Sequence, residues 1–329
     1  MLETFLATLT PLFGLFIYMG IGFTLTKTRV LPKEASSVLS KLVVWVFSPA
    51  LCFITMAKNC TPDTMEQNAT FLIISCSGLA IALTLSYFLT PLFAKKGTYE
   101  ANIYRYALTF ANCGYVGDPL VMAIFGDEVL FCYKIFTLPL TIIIYTWGLC
   151  ILTPKGQGPR NPVLKLINPS NVAITLGIIV GLSGAGTHLP VVITSTFEAL
   201  KNCMGPVVMI SGGCAVARYS IPKMLKNHKN YLASGLRLVV LPCIIISLLY
   251  LIKTGIGAIF GYYIGNEVLH LALFAFAAPL GLNTVVFPES FGGDAEPGAG
   301  MALVSHTLCV LTIPTLFAIL TLIFGQYPI

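Results

Sequence analysis

The sequence predicts an all-α integral membrane protein, and three observations carry that reading. Of its 329 residues, 56% are hydrophobic and only 10% are charged, where a soluble domain carries about 25% charged residues. The apolar residues gather into runs close to the roughly 20 that a helix needs to cross a bilayer core. The basic residues collect in alternate connectors between those runs. The net charge of +6 is therefore read through its distribution along the chain and is no sign of a nucleic-acid partner.

Measured against the bilayer, ten transmembrane helices are expected. They are Phe5–Leu25, Val38–Met56, Phe71–Phe93, Tyr104–Phe125, Val129–Leu152, Val172–Gly184, Val191–Ala217, Tyr231–Ile252, Val268–Phe291 and Gly298–Phe324. The fourth and ninth are interrupted by helix-weakening residues. Met1 to Thr10 has no basic region, and Glu3 is its charged side chain. The first helix is thus expected to stay in the membrane and not to be cleaved as a signal.

Orientation follows from the cations. Of nineteen Lys and Arg, thirteen fall in or beside four alternate connectors: Lys27, Arg29, Lys33; Lys95, Lys96, Arg105; Lys155, Arg160, Lys165; and Arg218, Lys223, Lys226, Lys229. Such connectors are cytoplasmic by the positive-inside rule, which puts both termini on the extracytoplasmic side of a multi-pass protein of the cell membrane. Asp63 and Glu66 make one of the opposite connectors acidic.

The halves also match each other. Phe47-Ser-Pro-Ala50 puts a proline inside the second helix, as Pro206 does in the seventh. Phe125-Gly-Asp127 follows the first break and Phe291-Gly-Gly-Asp294 the second. Thr137-Leu-Pro139 and Thr312-Ile-Pro314 come a little further on. Residues 1–153 and 169–329 are therefore read as two five-helix repeats, joined by a cytoplasmic connector at 154–168. An odd number of helices per repeat inverts the second relative to the first. Gly177 and Gly181 permit close helix packing.

The first break, Phe110-Ala-Asn-Cys-Gly-Tyr-Val-Gly-Asp-Pro119, concentrates polar and flexible residues in an apolar setting. Non-helical backbone at membrane depth persists only where it is buried in protein or lines a cavity, and broken helices of this kind mark binding sites in secondary transporters. The ten cysteines are scattered without metal-ligand spacing, and no metal or cofactor is expected. Tyr115-Val-Gly-Asp118 is similar to the G-x-G-D signature of intramembrane aspartyl proteases, but tyrosine replaces the first glycine. The second aspartate that chemistry needs is missing from the spans. No phosphate loop or nucleophile–base set is present, so no enzyme is expected.

Taken together the motifs resemble the auxin efflux carrier family of membrane transporters, which spans plant auxin exporters and bacterial carriers of small organic acids. The resemblance rests on Lys41-Leu-Val-Val-Trp-Val-Phe-Ser-Pro49, Asn112-x-Gly114-x-x-Gly117-x-Pro119, Phe125-Gly126, Ile167-Asn-Pro169, Ala278-Pro279, Asn283-Thr284, Phe291-Gly-Gly-Asp294 and Thr312-Ile-Pro314. It implies ten helices in inverted repeats, with the fourth and ninth crossing at their breaks. It further implies a scaffold of helices 1, 2, 6 and 7 that forms a homodimer, and a transport unit of helices 3–5 and 8–10. A small organic anion would bind at the crossover and be carried by an elevator-like movement. Two departures stand out: the residue before Pro119 is usually apolar but here is Asp118, and Ser305-His-Thr-Leu-Cys309 replaces a Ser/Thr-rich run.

The expected substrate-binding residues are Asn112, Gly114, Gly117, Asp118, Pro119, Pro279, Asn283 and Thr284. Free N–H groups at one end of each break and free C=O groups at the other offer both signs of partial charge. Asn112 and Asn283 would act as neutral donors to a carboxylate, or would satisfy the freed backbone groups. Asp118 reads two ways: as an N-cap ahead of Pro119, or as a membrane-embedded carboxylate for a proton, cation or substrate. Lys134 either offsets that charge or snorkels to the interface. Glu289 is its counterpart after the second break, or a capping or interface residue. His306 is a packing residue or a proton relay. Coupling to H+ or Na+ would run through Asp118, Lys134, Glu289 or His306. His270 and Arg237 are placed near helix ends with no role, and Pro49, Pro139, Pro206 and Pro314 are expected to kink their helices. A transporter-like sensor, a channel, or a cation-coupled carrier of a non-anionic solute are the alternative readings.

Overall fold

In lipid an apolar run must close its backbone hydrogen bonds within itself, and the chain does so as helix almost throughout. The computed structural model describes residues 2–67, 69–154, 169–261 and 264–327. Its main helices are Leu2–Lys27 (α1), Ala35–Asn59 (α2), Ala69–Leu92 (α3), Tyr99–Thr109 (α4), Cys113–Phe125 (α5) and Glu128–Leu152 (α6). Then follow Pro169–Leu182 (α7), Val191–Arg218 (α8), His228–Phe260 (α9), Glu267–Ala277 (α10), Asn283–Phe291 (α11) and Glu296–Phe324 (α12). Among the described residues no strand forms, and an isolated antiparallel bridge joins Ala111 to Leu280. The connector expected at 154–168, with Lys155, Arg160, Lys165 and Ile167-Asn168, lies outside the described residues except for Pro154.

Among the described residues, six helices (α2, α3, α6, α8, α9 and α12) are long and apolar enough to cross a membrane. The fourth and ninth expected spans are each split into two half-length pieces, α4 with α5 and α10 with α11. α7 has only 14 residues. Large apolar side chains face outward, with Ile17 62%, Trp45 57% and Ile179 58% exposed. In water such a surface would be a liability; against lipid chains it is the expected one.

Small residues set the closest contacts. α1 runs along α8 and α2 along α7. A Cβ at Gly181 would lie 2.7 Å from the carbonyl oxygens of Cys60 and Met56, and one at Gly177 would lie 2.7 Å from that of Phe53. The two backbones therefore touch without side chains between them, as small-residue packing in membranes requires.

Prolines are accommodated by widened turns. A π-helical turn at Val43–Phe47 precedes Pro49, one at Cys113–Gly117 precedes Pro119, and one at Leu236–Val240 precedes Pro242. Proline lacks the N–H that would continue the α pattern and its ring crowds the carbonyl four residues back; an extra residue in the turn relieves both. Pro139, Pro206 and Pro314 sit inside helices. After each break the second half-helix ends on a positive-φ glycine, Gly126 at +83° and Gly292 at +70°. Both have the positive φ that glycine adopts without the steric cost of a Cβ.

Helix edges differ from expectation where polar residues extend a span. α9 begins at His228, three residues before the expected Tyr231, and runs on to Phe260. Arg237 is thereby well inside the helix and fully buried, which corrects its placement near an end. His270 is also buried, its ring nitrogens 3.2 Å from the carbonyl oxygen of Asn266 and 3.1 Å from that of Gly325.

Candidate functional site

The two breaks meet. α4 stops at Thr109, where Phe110 turns extended (φ −109°, ψ 124°), and α10 stops before Ala278 (φ −59°, ψ 155°). The two extended pieces lie antiparallel. The Asn112 N–H donates to the Pro279 carbonyl at 2.8 Å, and the Gly281 N–H to the Phe110 carbonyl at 3.3 Å. Backbone groups freed by one break are thus partly satisfied by the other, and the Leu280 N–H finds Ser305 Oγ at 3.3 Å.

The asparagine side chains bond to other side chains. They are not spent on freed backbone groups. Asn283 Nδ2 donates to the Tyr106 hydroxyl at 2.9 Å, and its Oδ1 accepts from the Tyr115 hydroxyl at 3.3 Å. Asn112 Nδ2 lies 3.2 Å from His306 Nε2. His306 Nδ1 is 2.9 Å from the Ala302 carbonyl. A carbonyl only accepts, so the proton of a neutral ring sits on Nδ1 and Nε2 accepts from Asn112. Asn112 is thus held at its amide nitrogen by His306, and Asn283 at both amide atoms by Tyr106 and Tyr115.

Asp118 does not cap a helix. Its backbone is helical (φ −56°, ψ −53°), and its N–H bonds to the Cys113 carbonyl within the π-helical turn. The helix continues through it, and its carboxylate forms a salt bridge with Lys134 of α6. Lys134 accordingly does not snorkel: its side chain is 13% exposed and that of Asp118 19%. The second carboxylate oxygen, Oδ1, is buried with no hydrogen-bond partner.

A cavity of about 60 Å³ lies against the crossing, lined by Asn112, Gly114, Tyr115, Asp118, Lys134 and Asn283 together with α2 residues such as Cys52 and Thr55. Gly114, Tyr115, Asp118 and Lys134 also border a vestibule of about 580 Å³, walled on its other side by Gly14, Leu51, Lys201 and Asn202. No atom approaches within 4 Å of where a Cβ on Gly114 would stand, so the backbone there is open to the cavity. Pro119 borders the vestibule.

The remaining expected residues sit elsewhere in the site. Gly117 is buried beneath the Tyr133 hydroxyl and leaves no room for a side chain. Thr284 is buried with its hydroxyl on the Gly281 carbonyl at 2.9 Å. Pro279 contributes its carbonyl to the joint. Glu289 is no counterpart of Lys134: both its oxygens take Arg218 Nη1, at 2.9 and 2.7 Å, at the cytoplasm-facing end expected for α8.

Three residues that hold groups of this candidate site are absent from the expected set. Tyr106 and Tyr115 orient Asn283, and aromatic residues in a membrane chain give no hint of such a task. Arg237 was visible as a cation inside an apolar run. Its Nη1 donates to the carbonyls of Leu108 at 3.1 Å and Thr109 at 3.4 Å, the last carbonyls of α4.

With this geometry in view, the comparisons with known proteins are informative. A family described as membrane transport protein matches residues 7–162 and 159–317. The chain belongs to that family, the auxin efflux carrier type that its motifs resemble. It is 22% identical over 316 residues to a putative malonate transporter of Rhizobium meliloti, covering 92% of each chain. An uncharacterized transporter of Methanothermobacter thermautotrophicus is 25% identical over 258 residues, 75% of this chain and 80% of that one. One from Methanocaldococcus jannaschii is 22% identical over 242 residues, covering 72% and 77%. The protein is thus a multi-pass membrane protein of a transporter family.

Proposed function

We propose that this chain is a secondary carrier of small organic anions, carboxylates above all, that binds its substrate at the crossing and works by alternating access. The observation that carries the reading is the cavity where both breaks meet. Lys134, the asparagine pair Asn112 and Asn283, and the open backbone at Gly114 surround one small space. Half-helix N-terminal ends there present N–H groups and positive partial charge, which suit a carboxylate. Lys201 lines the approach. The name carried by the Rhizobium meliloti relative, a putative malonate transporter, agrees with this chemistry.

The architecture we propose is ten membrane helices in two inverted five-helix repeats, residues 1–153 and 169–329, with α4–α5 and α10–α11 as the broken fourth and ninth. α1, α2, α7 and α8 form the scaffold, a grouping supported by their tight small-residue contacts, and outward apolar residues on them suit a homodimer. The other helices form the unit that moves in elevator fashion. The vestibule lies between the two groups, where alternating access needs it. With the termini outside the cell, that vestibule opens outward. Coupling to H+ or Na+ would act through Asp118, whose free oxygen faces other groups of the site, or through His306.

Reconstitution into proteoliposomes tests the proposal, using a panel of mono- and dicarboxylates with and without proton and sodium gradients. Saturable uptake with counterflow is expected for at least one carboxylate. Binding without flux would make the protein a sensor, and non-saturable flux a channel; either result would overturn the carrier reading.

A further inference from the structure

Arg237 has no place in the family motifs and no acidic partner. It is fully buried, and among the described residues no carboxylate forms a salt bridge with it. Nη1 holds the Leu108 and Thr109 carbonyls, while Nε and Nη2 have no hydrogen-bond partner at all. Tying down two helix-end carbonyls needs only a neutral donor. Burying a full charge without a counter-ion is costly, so the charge itself calls for a use.

Its position supplies one. The carbonyl end of α4 carries partial negative charge and points at the crossing. Left alone, that end would repel an anion arriving at the adjacent N–H groups. Arg237 reverses its sign. Leu108 and Thr109 directly precede the crossing segment that begins at Phe110, so the guanidinium they hold sits at its edge, in buried surroundings where charge interactions are strong and salt screens them little. Lys134 and Asp118 cancel as a pair. Arg237 then adds a positive charge beside the crossing that no carboxylate among the described residues answers.

We propose that Arg237 is the fixed counter-charge of the crossing: a positioning residue that never touches the substrate but sets the site's preference for one net negative charge. The favoured ligands are monocarboxylates and singly protonated dicarboxylates, which bring the loaded site to neutrality. Neutral solutes leave the charge unanswered, and dianions overshoot it. This inference rests on the carrier reading above and narrows it.

The test compares the whole protein in proteoliposomes on three ligands of similar shape: a monocarboxylate, its neutral amide, and a fully ionised dicarboxylate. Wild type is expected to prefer the monocarboxylate to both. Arg237→Gln is expected to raise KM for the monocarboxylate about tenfold, the effect of roughly one pair-wise charge interaction, with kcat changed far less and with discrimination against the amide lost. Arg237→Lys is expected to restore most of the affinity. An unchanged KM in a folded Gln variant, or a Lys variant as impaired as Gln, overturns the inference. Where the Gln variant fails to fold, the wild-type ranking decides: preference for the dianion or indifference to charge overturns it while leaving the carrier reading intact. A wild type that moves no carboxylate overturns both.

Discussion

Lys134 Nζ closes on Asp118 Oδ2 from the helix that follows the broken one, and the two side chains are 13% and 19% exposed. A shielded pair like this is fragile to the loss of one member and tolerant of the loss of both, because the cost lies in the charge left behind. Lys134→Met and Asp118→Leu alone are each expected to destabilise by about 3 kcal/mol. The double variant should melt closer to wild type than either single one. Melting of the four proteins in detergent checks this; additive losses would mean the pair carries no coupling.

Transport by Asp118→Asn across a pH series addresses the aspartate's second role. A flattened pH profile is expected if Asp118 carries a proton during the cycle. An unchanged rate and profile would remove it from coupling and leave it as the partner of Lys134.

His306 holds Asn112 through one acceptor nitrogen. Replacing it by leucine leaves the Asn112 amide donor buried, with Asn112 itself only 3% exposed, and a stranded donor costs about 1–3 kcal/mol. His306→Leu should therefore lower the melting temperature and raise substrate KM. His306→Leu combined with Asn112→Leu should recover part of the stability, measured by the same melts.

Glycine positions divide cleanly by space. Gly181→Ala drives a Cβ to 2.7 Å from the carbonyl oxygens of Met56 in α2 and Cys60 just past its end, and overpacking of this kind costs about 1–3 kcal/mol. Gly255→Ala in α9 meets nothing within 4 Å; it should be neutral or stabilise by up to about 1 kcal/mol, alanine being the better helix former. Equal melting of the two variants would contradict the close α2–α7 contact.

The vestibule gives a test of orientation. Asn202 borders it, and the exposed native thiols Cys76, Cys203 and Cys243 can first be changed to serine. Asn202→Cys in whole cells is expected to react with a membrane-impermeant maleimide added outside, and substrate should slow the labelling. Reaction only after permeabilisation would reverse the orientation derived from the positive-inside rule.

Much of this site was legible in the sequence, and the reason is local. Asn112, Gly114 and Asp118 stand out because polar and flexible residues in a membrane run have few other uses, and the same signal marks Asn283. What escaped depends on partners far along the chain. Nothing near Lys134 in the sequence says that α6 returns it to Asp118, and a lysine close to a span's end reads as an interface residue. Glu289 reads as a mate for Lys134 until α8 brings Arg218 to it. A span beginning at Tyr231 leaves Arg237 near its end, whereas α9 starts at His228 and carries the arginine inward. A charge within a run of leucines and valines was itself the clue.

The joint between the two breaks is made by main-chain atoms: the N–H groups of Asn112 and Gly281 and the carbonyls of Pro279 and Phe110. Every amino acid owns a carbonyl and all but proline own the N–H, so the joint asks little of side-chain identity. Side chains around the cavity can therefore be exchanged while the clasp stays shut, so a single substitution beside it can change what the cavity holds without loosening the frame.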